Sequence, residues 1–142
     1  MKTVLLAEDN GADADFIMRA CKATDIPHVL HHVQDGEEAI DYLAGNNDFA
    51  NRLHYPLPDL VLLDVKMPRR DGHDVLEWVR AQPAFKKLPI IMLTGSEELA
   101  DINRAYELGV TSYLVKSAYS PEFRQNVRII LKFWLELNRT AS

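Results

Sequence analysis

Five times along this chain of 142 residues, a short apolar run of β type gives way to a longer stretch with helical spacing. The runs are Thr3–Ala7, His28–Val33, Asp59–Asp64, Leu88–Thr94 and Ser112–Val115. Residues 60–63 and 90–93 are apolar at every position, so both faces of those strands are covered, as in a parallel sheet sandwiched between helices. Right-handed crossovers then give a doubly wound α/β fold. The spacing predicts helices after Asn10, from Gly36 to Leu43, from Asp71 to Gln82, from a cap at Ser96 to Gly109, and from Ser120-Pro121-Glu122 onward. Residues 45–58, with Asn46, Asn47, Pro56 and Pro58, read as a long polar loop.

The length suits one domain, expected to span residues 1–142 with no output domain. With 16 basic and 21 acidic residues the net charge is −5, which disfavours generic nucleic-acid binding. A single cysteine, Cys21, excludes an internal disulfide and falls on an apolar stripe, so a buried inert thiol is expected. The N-terminal apolar run is too short for a signal peptide, and no run approaches the ~20 residues that span a bilayer. A soluble cytoplasmic protein without a membrane partner is the expectation. His31 and His32 point to opposite faces of a strand and cannot share one ion.

Parallel α/β sheets bind ligands at the carboxyl ends of their strands. Here those ends carry Glu8-Asp9, Asp64, Thr94-Gly95-Ser96 and Lys116. Each residue taken alone is ordinary turn chemistry. Together they put three carboxylates, a hydroxyl and an ammonium at one edge, and crowded carboxylates call for a cation. Oxygen-only ligands of this charge fit Mg²⁺.

The segment Leu63-Asp64-Val65-Lys66-Met67-Pro68-Arg69-Arg70-Asp71-Gly72 resembles the L-D-x-x-M-P-x-x-D-G stretch of two-component response regulator receiver domains. The acidic pair, Thr94 and Lys116 fall where that family has them, across essentially the whole chain. The resemblance implies a flavodoxin-like (βα)5 fold with five parallel strands in the order 2-1-3-4-5. It also implies a phosphoryl group passed from a histidine kinase phosphohistidine to Asp64, with slow autodephosphorylation. In that reading Asp64, Thr94 and Lys116 serve the reaction. Asp9, Asp64 and the main-chain carbonyl of Lys66 hold Mg²⁺, and Glu8 acts through water. Thr94 and Tyr113 form a switch pair. Lys116 would pair with Asp64 before transfer. Lys116 is followed by Ser117, where most receivers have proline after a cis peptide, and a cis bond before serine would cost ~3 kcal/mol.

The long loop, Lys116-Ser117 and Phe133-Trp134-Leu135-Glu136 look like single-domain regulators paired with phytochrome-type kinases, so a bacteriophytochrome is the expected partner. Two other readings fit the sequence less well. A pseudo-receiver scaffold has no need of the charged set. A haloacid-dehalogenase-type phosphohydrolase needs a second acid two residues after its nucleophile, and here that position is Lys66.

On the last helix Phe123, Val127, Ile130, Leu131 and Trp134 form the stripe expected to face the sheet. Ile129, Phe133 and Leu137 add a second stripe, and with Leu135 the apolar arc reaches about 240°. That exceeds what one buried side requires, so a homodimer through Ile129, Phe133 and Leu137 is expected.

Overall fold

The computed structural model describes residues 1–116 and 119–139. The Lys116–Ser117 peptide therefore lies outside the described residues. Five parallel strands, β1 (Lys2–Ala7), β2 (His28–Val33), β3 (Leu60–Leu63), β4 (Ile90–Thr94) and β5 (Ser112–Val115), lie in the order 2-1-3-4-5. The helices between and after them are α1 (Gly11–Lys22), α2 (Gly36–Ala44), α3 (Gly72–Ala81), α4 (Leu99–Glu107) and α5 (Pro121–Leu131). This is the flavodoxin-like arrangement expected from the sequence. The order of strands reverses at β1 and β3, so their carboxyl ends open a crevice between them.

Alternation along the strands divides the core in two. Leu5, Ala7, Val61, Leu63, Ile90 and Met92 face one way, onto Leu43 of α2, Val75 and Val79 of α3, and Ala105 of α4. Val4, Leu6, Leu60, Leu62, Ile91 and Leu93 face the other, onto Ile17 and Cys21 of α1 and Phe123, Val127 and Leu131 of α5. Cys21 is buried, and burial pushes its thiol up to about 12, so it is the inert thiol expected. Among the described residues no helix is long and apolar enough to cross a membrane.

Three local expectations need correction. Ser96 does not cap α4, which starts three residues later with Glu98 in the cap position. The Ser96 hydroxyl instead donates to Asp101 Oδ2 at 2.5 Å. The 45–58 segment is not merely a polar loop. It carries a short 3-10 turn at Asn47–Phe49, and Phe49 and Tyr55 pack on Tyr42 at 5.1 and 5.9 Å. Its Arg52 donates to the carbonyls of Tyr42 (2.7 Å) and Leu43 (2.8 Å), closing the end of α2, whose last turn has no basic residue of its own.

The third correction is at the C-terminus. After α5 the chain widens into π winding over Lys132–Leu137, with Asn138 N–H donating to the Phe133 carbonyl five residues back. Wider winding turns less per residue, so Leu135 swings back over the core and is 7% exposed. Leu135 therefore leaves the surplus arc. Ile129, Phe133 and Leu137 stay outside at 55%, 46% and 58% exposed.

Candidate functional site at the strand ends

Glu8, Asp9, Asp64, Thr94 and Lys116 all arrive at one edge because parallel pairing puts every strand's carboxyl end on the same side. The main chain locks them there. Asp64 N–H donates to the Ala7 carbonyl at 3.1 Å, and Lys116 N–H to the Thr94 carbonyl at 2.7 Å. Asp9, Asp64, Thr94 and Lys116 border a cleft of about 680 Å³ that also takes in Asp13, Lys66 and Gly95, with Glu8 buried behind it. A Cβ at Gly95 would meet nothing within 4 Å, so that side of the cleft is open.

The motif after Asp64 has a steric cause. A Cβ on Gly72 would stand 2.2 Å from the Asp64 carbonyl oxygen, which only glycine permits. Gly72 N–H donates to the Val65 carbonyl at 2.8 Å, curling the loop back under Asp64. Asp71 caps α3 in a capping box: it accepts from Asp74 N–H at 2.9 Å, and Asp74 accepts from Asp71 N–H at 3.1 Å. Upstream, Arg69 adopts φ 66° and reaches Asp35, the cap of α2, with its Nε at 3.1 Å. Gly36 is pressed in turn against the Arg70 carbonyl, 2.0 Å from where a Cβ would stand. The Asp64 loop is thus clamped from α2 and α3 together.

Glu8 and Asp64 are buried and Asp9 is exposed. One oxygen from each lies within 4.8 Å of the others, an arrangement that can hold a divalent cation. Burial holds the Glu8 carboxyl above the usual carboxylate range; the facing Asp64 adds to this and Lys116 opposes it. Asp64 Oδ1 accepts from Val65 N–H at 2.7 Å, leaving Oδ2 toward Lys116. The Thr94 hydroxyl is buried at the end of β4, with Ser96 N–H donating to it at 3.4 Å.

Lys116 departs from the simple expectation. Its ammonium lies 3.6 Å from Asp64 Oδ2 but 2.6 Å from Glu8 and 2.8 Å from Asp13. Burial disfavours its charge, yet the hydrogen bonds to Asp13 and Glu8 and the nearby Asp64 charge win, and its pKa is raised. Asp13 is not among the residues the sequence singles out.

Two expected residues sit beside the cluster. The Lys66 ammonium is exposed and lies 3.7 Å from Asp101. Tyr113 is half-buried, and its hydroxyl donates to the Ser96 carbonyl at 3.0 Å, tying β5 to the loop that follows Thr94. Ile129, Phe133 and Leu137 lie on or beyond α5, away from the cleft. His32 donates its Nε2 proton to the Glu8 carbonyl at 2.8 Å, while His31 packs against Tyr42 and Tyr55, so the two rings do face opposite ways.

The sequence model of the response regulator receiver domain matches residues 4–128. The response regulator Rcp1 of Synechocystis sp. is 36% identical over 135 residues, which cover 95% of this chain and 90% of that protein. The crystal structure of the phosphorylated cyanobacterial phytochrome response regulator RcpA superposes with a TM-score of 0.91 at 37% identity, over 99% of both chains. The Mn²⁺-bound form of Rcp1 superposes at 0.90 and 34% identity, over 100% of both chains.

Proposed function

Because this chain belongs to the response regulator receiver domain family, we propose that it takes a phosphoryl group from a sensor histidine kinase onto Asp64 in a Mg²⁺-dependent step. The observation that carries the reading is the meeting of Glu8, Asp9 and Asp64 with Thr94 and Lys116 around one cleft.

In this reading an Asp64 carboxylate oxygen attacks phosphorus in line. A new O–P bond forms, the N–P bond to the kinase imidazole breaks, and its electron pair returns to the ring. Transfer of this kind asks chiefly for positioning and charge stabilisation. Asp9, Asp64 and the Lys66 carbonyl would hold Mg²⁺, with Glu8 acting through water, and such an ion would supply positive charge toward the phosphoryl oxygens. Lys116 turns to a phosphoryl oxygen, and the Thr94 hydroxyl donates to another. Thr94 moving toward the cleft vacates space beside β5, and Tyr113 moves into it, releasing its bond to the Ser96 carbonyl. The face of α4, β5 and α5 changes as a result. Slow autodephosphorylation resets it.

A bacteriophytochrome-type kinase is the partner this reading favours, supported by the likeness to a phytochrome response regulator, and the transfer takes place in the cytoplasm. The protein forms a homodimer through Ile129, Phe133 and Leu137, supported by their joint exposure along one edge of the last helix. The test is phosphotransfer: a radiolabelled bacteriophytochrome kinase mixed with this chain and Mg²⁺ should lose its label to the chain. Label that stays on the kinase across a panel of such kinases counts against this choice of partner.

A further inference from the structure

Asp13 belongs to none of the expected roles, yet it makes one of the two shortest contacts to the essential ammonium. Its position is fixed from three sides. Its own N–H donates to the Asn10 side chain at 2.9 Å, pinning it in the first turn of α1. Its Oδ1 accepts from the Tyr119 hydroxyl at 2.7 Å. Tyr119 stacks on Phe16 at 5.0 Å, and Phe16 stacks on the buried Phe123 at 5.7 Å, so the phenol is braced against α1 and α5. That leaves Oδ2 aimed at Lys116, 2.8 Å away.

We propose that Asp13 is a positioning residue that holds Lys116 back from Asp64 in the resting state and so sets how readily Asp64 is phosphorylated. The proposal rests on Asp64 being the phosphoacceptor. Lys116 has three N–H donors. Two are spent at hydrogen-bond distance on Glu8 and Asp13, and Asp64 is left at 3.6 Å. Contact with a phosphoryl oxygen on Asp64 requires the ammonium to give up part of one of those bonds. Glu8 stands beside Asp64 in the acidic trio, so a shift of the ammonium toward Asp64 keeps it near Glu8, whereas Asp13 sits on the helix and is tethered by Tyr119. The Asp13 bond is therefore the one that breaks, and its strength opposes phosphorylation. Its release also frees the Asp13–Tyr119 pair, which carries the event to the segment leading into α5.

Asp13→Asn keeps shape and helix cap but exchanges a charged acceptor for a neutral one. A charge-assisted bond is roughly twice as strong as a neutral one, a difference equivalent to about a factor of ten in rate. Phosphorylation of Asp13→Asn by acetyl phosphate, followed by intact mass, should be about three- to tenfold faster than wild type. Asp13→Glu keeps the charge and should stay within about twofold of wild type. The Mg²⁺ concentration for half-maximal rate should not move in either variant, because Asp13 lies outside the metal trio. A purely structural role predicts a lower melting temperature and no acceleration. An Asp13→Asn rate equal to or below wild type, or a raised Mg²⁺ requirement, overturns the proposal. A wild-type chain that forms no adduct at all overturns the receiver reading itself and this proposal with it.

Discussion

Replacing Gly72 with alanine tests whether the loop after Asp64 is held as tightly as the geometry says. The new Cβ would stand 2.2 Å from the Asp64 carbonyl oxygen and 3.0 Å from the Val65 Cα. Carbon–oxygen contacts settle at roughly 3.3 Å or more, so main chain must move by about 1 Å. Both neighbours are backbone, and the loop is clamped by the Arg69–Asp35 pair and the Asp71–Asp74 capping box. Overpacking of this kind costs about 1–3 kcal/mol, and the upper half of that range applies where no side chain can swing aside. For a domain of this size each kcal/mol lowers the melting temperature by roughly 3–4 °C, so a fall of about 6–12 °C is expected. Because the displaced carbonyl belongs to Asp64, labelling by acetyl phosphate should also slow, by up to about a hundredfold for a shift of about 1 Å. Gly11→Ala is the control. It lies at the start of α1 with nothing within 4 Å of its Cβ, and helix propensity predicts no loss or a gain of up to ~1 kcal/mol. Thermal melts and labelling rates on the same preparations decide the matter. A Gly72→Ala protein that melts and labels like wild type refutes the close-approach argument.

Other expectations follow from the same geometry. Asp9→Ala removes an exposed corner of the acidic trio and should raise the Mg²⁺ needed for half-maximal labelling at least several-fold; an unchanged metal titration would exclude Asp9 from the site. Asp35→Ala removes the α2 cap bond to Glu38 N–H at 2.8 Å and the Arg69 partner, and should cost about 1–2 kcal/mol in urea unfolding near neutral pH. Burial disfavours the Asp35 charge, but the Glu38 N–H and Arg69 outweigh it and its pKa is lowered. Its contribution is thus fully present above the unfolded carboxylate range and is lost as pH falls through the depressed folded value, so the wild-type advantage over Asp35→Ala should shrink below about pH 4. For the proposed homodimer, Phe133→Asp should give a soluble monomer in sedimentation at tens of micromolar; a wild type that is monomeric with and without phosphorylation rules the interface out.

The strand ends were legible in the sequence because a parallel sheet needs only strand order and direction to bring Glu8, Asp9, Asp64, Thr94 and Lys116 together. The core was legible for a similar reason: Leu60–Leu63 and Ile90–Leu93 are apolar at every position, which marks strands covered on both faces. What escaped was carried by contacts between distant segments. Asp13 meets Lys116 across 103 residues of chain, and nothing in the local pattern of α1 separates it from Asp15, which pairs with Arg19 on the surface. Arg52 closes α2 from a loop whose composition reads as polar filler. The inward turn of Leu135 depends on a change of winding that regular helical spacing cannot anticipate. Ser96 looked like a helix cap because serine usually is one there; Asp101 claimed its hydroxyl instead.

The proposed role of Asp64 as phosphoacceptor underlies every step of this mechanism. Incubation with acetyl phosphate and Mg²⁺, followed by rapid digestion in acid and peptide mass mapping, measures it directly. One phosphoryl adduct per chain is expected, located on the peptide carrying Asp64, not formed when the metal is chelated beforehand, and absent from Asp64→Asn. Labelling of Asp64→Asn at the wild-type rate, or an adduct mapped to any other residue, would contradict it.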